Sequence, residues 1–227
     1  MVFDQLGVHG GMRLLDIACG SGFAASVAAR RGAEVSGIDA SEQLVTIATA
    51  RTPGGSFRAG DMFALPFPDN SFDLATSFNG IWKGCVDALA EARRVLVPGG
   101  RLGITFWGRF ERLGLMPYFL KVIELSPSSH GAATAEQGDT QNVMEDMLNA
   151  AGFVAFERGT VNVVNEWPDT STAVRALAAA GPSVPAIEAI GYEAFSEALR
   201  EVIAPLCDRD VGVRITSEFD WITATVG

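Results

Sequence analysis

Along the first half of the chain, short unbroken apolar runs alternate with stretches whose apolar positions recur at helical spacing. The run Met12–Ile17 (MRLLDI) ends in a glycine turn and predicts a buried strand. The alanine-rich Phe23–Arg31 predicts a helix stopped by Gly32, and Glu34–Asp39 predicts the second strand. Ser41–Arg51 predicts the next helix, with Ser41 as N-cap, Glu42 in the first turn, and Leu44, Ile47 and Ala48 on one face. GSFRAGD and Ser71–Ser77 predict a third and a fourth strand. Cys85–Leu96 predicts a helix with Ala88, Leu89, Ala92, Val95 and Leu96 along one side, VPGG a turn, and Arg101–Trp107 a fifth strand. Strands and helices alternating in this way imply right-handed crossovers, and so an α/β fold with a doubly wound parallel sheet.

The second half breaks this rhythm. Phe110–Leu125 predicts an irregular helix containing Gly114 and Pro117, and the small, polar Ser126–Thr140 a mobile loop. TQNVMEDMLNAAGF predicts a helix ending at Gly152. The β-branched and aromatic Phe153–Trp167 predicts a long strand bent near Gly159. Helical pieces follow over Thr172–Ala180, Val184–Ile190 and Tyr192–Pro205, and VGVRITSEFDWITATVG closes the chain as a last strand. With no repeat and no long linker, one domain is expected over residues 1–227, with insertions at about 110–140 and 169–210 forming a helical cap.

Composition narrows the function classes. The chain has 227 residues, 48% apolar and 19% charged, a globular balance for one sizeable α/β domain. Its net charge of −10 argues against nucleic acid or an anionic membrane surface as partner, since both need a basic patch. Cys19, Cys85 and Cys207 are widely spaced with no CxxC, which predicts reduced thiols and a cytoplasmic location. No apolar run approaches the roughly 18 residues of a membrane span, and MVFDQLGVHGG lacks the basic and apolar regions of a signal peptide. No metal-ligand spacing is present.

The stretch LLDIACGSGFAA holds the candidate chemistry. Gly20-Ser21-Gly22 follows the first strand and opens a helix, the place where open α/β sheets bind ligands. A tight turn with no ligand is the plain alternative. GSGFAA also fits the dinucleotide fingerprint, which keeps a nicotinamide-dependent oxidoreductase in view. Asp16 argues against a diphosphate there, because like charges about 4 Å apart repel by roughly 4 kcal/mol at an effective dielectric of 20. A ligand with an ammonium group suits that carboxylate, although Asp16 could instead brace the loop backbone. Asp39 ends the second strand, where an acidic residue can accept ribose hydroxyls or cap the next helix. Asp61 and Met62 follow the third strand, where a carboxylate can accept an adenine amino group or make an Asx turn.

LLDIACGSG, GIDAS, AGDMFALPFPDNSFDLATS and RRVLVPGGRLGITFW occur in order and at matching spacing over Met12–Trp107. Together they resemble the class I S-adenosylmethionine-dependent methyltransferases, especially the ubiquinone and menaquinone type of small-molecule methyltransferase. The resemblance implies a Rossmann-like, seven-stranded, mostly parallel sheet with its last strand antiparallel. It also implies S-adenosylmethionine as cofactor, with S-adenosylhomocysteine as product. By position, Asp16, Ala18, Gly20 and Gly22 would hold the methionine part, Asp39 and Ala40 the ribose and one adenine face, and Asp61 and Met62 the adenine edge. Ser77, Phe78 and Asn79 would line the sulfonium and acceptor region. Cys19 reads as a small packed residue. Only a short segment precedes the first strand, where relatives usually carry a longer helical one over the cofactor.

The expected acceptor is an apolar or aromatic small molecule in a pocket with Trp82, Trp107, Phe110 and Tyr118, a set in which some residues are expected to be core. A sulfonium donor is already activated, so positioning dominates. If a proton must leave, His9 and His130 are the histidines on offer. The expected activity is methyl transfer. The alternatives are a catalytically silent S-adenosylmethionine-binding protein and the oxidoreductase, and a homodimer is left open.

Overall fold

The computed structural model describes residues 1–127, 140–208 and 210–227. Its described residues form two compact units. The first draws on Met1–Phe106, Asp139–Thr160 and Asp220–Gly227, and the second on Trp107–Gly138 and Val161–Phe219. Of the segments expected as a cap, about 110–140 and 169–210, residues 110–127, 169–208 and 210 fall in the second, Thr140 falls in the first, and the rest lies outside the described residues.

The first unit is organised by the sheet. Strands β1 (Arg13–Ile17), β2 (Glu34–Asp39), β3 (Ser56–Ala59), β4 (Phe72–Phe78) and β5 (Leu96–Trp107) pair in parallel. With β6 (Phe153–Trp167) and β8 (Gly212–Val226), the order is β3-β2-β1-β4-β5-β8-β6, and the last strand runs antiparallel. The seven-strand path is the one expected. An eighth strand, β7 (Cys207–Asp208), is two residues long and pairs antiparallel with the start of β8.

Alternation along the strands sorts side chains to two faces. Leu14, Val35 and Leu74 pack with Ala25 and Ala28 of α2 (Phe23–Arg30) and with Val2 and Phe3 of α1 (Val2–Gln5). Leu15, Ile17 and Ala75 pack with Ala88, Leu89 and Ala92 of α4 (Val86–Val95) and Met144, Met147 and Leu148 of α6 (Thr140–Ala150). The crossover helices therefore change face between β1 and β4, and the ends of these two strands flank the switch point. Helix α3 (Glu42–Arg51) is capped by Ser41, whose Oγ accepts from the Leu44 N–H at 3.3 Å. Its expected apolar face is a correction: Ala48 is buried, but Leu44 and Ile47 are 36% and 46% exposed. The helix covers the short, open strand β3, which offers little to bury them against. The VPGG segment is a second correction. It lies inside β5, where the pairing with β4 slips between Phe72 and Leu74 and Gly99 takes φ +75°.

The second unit has its own core. Tyr118 and Phe119 of α5 (Met116–Leu125), Val174 and Leu177 of α7 (Thr170–Ala178), Ala186 of α8 (Val184–Ile190), and Phe195 and Leu199 of α9 (Tyr192–Ile203) close on Val213 and Ile215 of β8. Pro117 stands in the first turn of α5, where a missing N–H costs nothing, so the irregular helix begins there after a short 3-10 turn at Phe110–Arg112. Among the described residues no helix is long and apolar enough to cross a membrane.

Candidate functional site

The carboxyl ends of β1, β2, β3 and β4 gather most of the candidate residues. Asp16 is buried on β1, directly beside Thr76 of β4 in the ladder. Its Oδ1 accepts from the Thr76 hydroxyl at 2.8 Å, while Oδ2 completes no hydrogen bond. Burial pushes its pKa up to about 7, against the pull of the Thr76 hydroxyl and the Ala25 amide, and the Asp39 charge adds to the rise. A buried carboxylate with one unpaired oxygen is an unsatisfied group that a cationic donor would complete.

Asp39 has two backbone partners. Its Oδ2 accepts from the Gly20 N–H at 2.8 Å and its Oδ1 from the Ser41 N–H at 2.9 Å. It thus ties the glycine turn to the end of β2 while staying half-buried. The two glycines differ in purpose. Gly20, at φ +53°, would place a Cβ in open space, whereas at Gly22, at φ +72°, a Cβ would stand 2.7 Å from the Ala48 Cβ. Gly22 serves the close approach of α2 and α3, and Gly20 is the one that leaves the turn open. Ala18 and Asn79, which directly follow β1 and β4, also take positive φ (54° and 58°), a strained backbone on both sides of the switch point.

Asp61 is exposed and makes an Asx turn, its Oδ1 accepting from the Phe63 N–H at 2.9 Å. Met62 packs in part against the core under α4. Ala40 is exposed beside Asp39. Ser77 is fully buried and its hydroxyl has no partner. Phe78 meets Phe3 edge-on, with ring centroids 5.4 Å apart. Asn79 is exposed, and its N–H donates to the Thr105 carbonyl at 2.9 Å. The Cys19 thiol is buried, and desolvation with two nearby carboxylates pushes its pKa up to about 12, which makes it inert.

Other candidates lie elsewhere. Trp82 is 56% exposed on the first unit. In the second unit, Trp107 stands between Phe119 and Phe219, at 5.0 and 4.7 Å, and Phe110 is half-buried. Tyr118 is buried with its hydroxyl 2.9 Å from Ser183 Oγ, which in turn donates to the Leu177 carbonyl. His9 precedes β1, so it stands at the amino edge of the sheet, and the structure does not bring it to the glycine turn. A groove of about 600 Å³ lined by Arg13, Glu34, Ser56 and Phe72 lies at that same edge, also away from the turn. His130 lies outside the described residues.

A family model described as a methyltransferase domain matches residues 15–104. The ubiquinone/menaquinone biosynthesis C-methyltransferase UbiE of Dinoroseobacter shibae is 33% identical over 175 residues, covering 67% of this chain and 70% of that one. The chain belongs to the S-adenosylmethionine-dependent methyltransferases. A demethylmenaquinone methyltransferase of Renibacterium salmoninarum is 40% identical over 104 residues, 45% of this chain. This methyltransferase chain spans 44% of that relative's length, under half of it. The YcgJ protein of Bacillus subtilis shares the fold, with a TM-score of 0.64, 18% identity, and 99% of this chain and 95% of that chain covered.

Some residues around the candidate site had no readable signal. Thr76 is a plain strand threonine until the β1–β4 register sets it beside Asp16. Arg51, at the end of α3, donates from Nη1 to the Ser21 carbonyl and hydroxyl at 2.6 Å each, with its guanidinium 5.7 Å from the Phe23 ring centroid. Helix α1 was not expected, although Val2, Phe3 and Leu6 carry a helical spacing that could have shown it.

Proposed function

We propose that the protein transfers a methyl group from S-adenosylmethionine to an apolar or aromatic small molecule. The observation that carries this reading is the buried Asp16 carboxylate with an unpaired oxygen under an open glycine turn. That arrangement opposes a diphosphate and suits an ammonium. S-adenosylmethionine, when bound, supplies an activated methyl on a sulfonium centre. The chain's own part is to hold and orient. Thr76 fixes one Asp16 oxygen, so the other is aimed at the methionine ammonium together with Ala18, Gly20 and Gly22. Asp39, already bonded to the Gly20 and Ser41 N–H groups, keeps lone pairs for the ribose hydroxyls beside Ala40. Asp61 takes the adenine amino group, and Met62 packs on the ring.

The acceptor class rests on the aromatic surface of the chain and on relatives whose names point to quinone precursors. Trp82 has the ring most open to an acceptor among the four aromatic candidates, since Trp107 and Tyr118 are tied into a core. The net charge of −10 speaks for a small molecule over a nucleic acid, and three free thiols suit a reducing cytoplasm. The test is transfer of isotope-labelled methyl to a panel of phenols and quinols. Labelled product is expected. Binding of S-adenosylhomocysteine with no product from any acceptor would overturn transfer, and stabilisation by NAD in place of S-adenosylmethionine in a melting assay would overturn the cofactor.

A further inference from the structure

The turn Asp61–Ala64 carries the carboxylate assigned above to the adenine edge, and it is held at both ends. At its start, the Gly60 N–H donates to the Asp39 carbonyl at 2.9 Å and continues the β2–β3 ladder. At its end, two side chains of α4 replace a strand neighbour. The Leu65 N–H donates to Glu91 Oε2 at 2.8 Å, and the Leu65 carbonyl accepts from Arg94 Nη2 at 2.9 Å. Arg94 Nη1 also donates to the Phe67 carbonyl and to Asp69 Oδ1, each at 2.8 Å. Glu91 and Arg94 lock each other through two bonds of 2.7 Å, Nε to Oε1 and Nη2 to Oε2. The fixed fork of a guanidinium can serve two carbonyls and two carboxylates at once, which an ammonium cannot. Inside the turn, the Phe63 N–H bonds Asp61 Oδ1 at 2.9 Å and the Ala64 N–H bonds the Asp61 carbonyl at 3.3 Å. Leu65 is also anchored by its buried side chain.

We propose that Glu91 and Arg94 are positioning residues for nucleobase recognition. By fixing Leu65 they set where the Asp61 carboxylate stands, and so set the preference for a 6-amino purine over a 6-oxo purine. This rests on the cofactor reading above. A carboxylate accepting from the 6-amino group meets repulsion from a 6-oxo group at the same place. That discrimination depends on position, because a hydrogen bond weakens steeply as distance and angle depart from optimum.

The experiment compares binding of S-adenosylhomocysteine and S-inosylhomocysteine by calorimetry, with circular dichroism reporting the fold. The wild-type protein is expected to favour the adenosyl ligand by at least tenfold. Arg94→Met and Glu91→Gln are expected to narrow that ratio severalfold with little change for the inosyl ligand. Arg94→Lys, which keeps the charge and loses the fork, is expected to narrow it too. A folded Arg94→Met protein with the wild-type ratio overturns the proposal, as does an equal loss for both ligands, the mark of a purely structural role. If Arg94→Met does not fold, the ratio for Glu91→Gln decides in the same way. A wild-type protein that binds neither ligand overturns the cofactor reading and this proposal with it. One that binds both equally overturns only the assignment of Asp61 and what is built on it.

Discussion

Asp16 carries a conflict between stability and its proposed part in binding. Its pKa rises from the ordinary 3.8 to about 7 on folding, so the folded state holds the proton more tightly than the unfolded chain. Stability therefore falls as pH rises between those values, and the loss is complete above the upper one. At about 1.4 kcal/mol per pKa unit the penalty is a few kcal/mol. The expected outcome for Asp16→Asn is a melting temperature above wild type at pH 8, converging towards pH 4. The same variant is expected to lose more than tenfold in affinity for S-adenosylhomocysteine. Calorimetry should also find wild-type affinity increasing from pH 6 to pH 8, with proton release on binding measured across buffers of different ionisation heat. Asp39 braces Gly20 and Ser41, and the proposed function gives it a second duty, accepting from ribose hydroxyls. Asp39→Ala is expected to weaken binding by about 1.5–3 kcal/mol, the range for a hydrogen bond to a charged group. Unchanged affinity on titration would remove Asp39 from the site.

At the level of elements, the glycine turn is built by the packing of two helices. Gly22→Ala would drive a methyl into Ala48 at a positive φ. A loss of about 1–3 kcal/mol is expected in urea unfolding, from overpacking and backbone strain together. Two ion pairs, one between β1 and β4 and one on α4, respond to acid. The Arg13 guanidinium beside Asp73, and that of Arg94 beside Glu91, hold those carboxyls below their ordinary values. Their contribution is present above the unfolded carboxylate range and is lost as pH falls through the folded values. Acid titration followed by amide exchange should show the loop from Leu65 to Asp69 losing protection with that protonation.

For the whole molecule, the division into two units makes its own prediction. The residues proposed to hold the cofactor all belong to the first unit, while Leu199 is fully buried in the core of the second. Leu199→Ala is expected to cost about 2–5 kcal/mol in denaturant unfolding, with the affinity of the folded protein for S-adenosylhomocysteine unchanged. Reduced affinity in the folded variant would mean that the second unit takes part in cofactor binding.

Local chemistry was enough to read the strands and helices from Met12 to Trp107 apart from the VPGG stretch that β5 takes in, together with the glycine turn and the acids at three strand ends, because periodicity, glycine and charge act over a few residues. It also marked Ser41 as a cap, which depends only on neighbours, whereas Pro117, expected inside a helix running from Phe110, stands in the first turn of α5. Tertiary structure decided the rest. Strand register set Thr76 against Asp16, chain return brought Arg51 to Ser21 and α4 to Leu65, and helix packing gave Gly22 its purpose. These contacts join residues far apart in the chain, and no local pattern encodes which distant group will arrive.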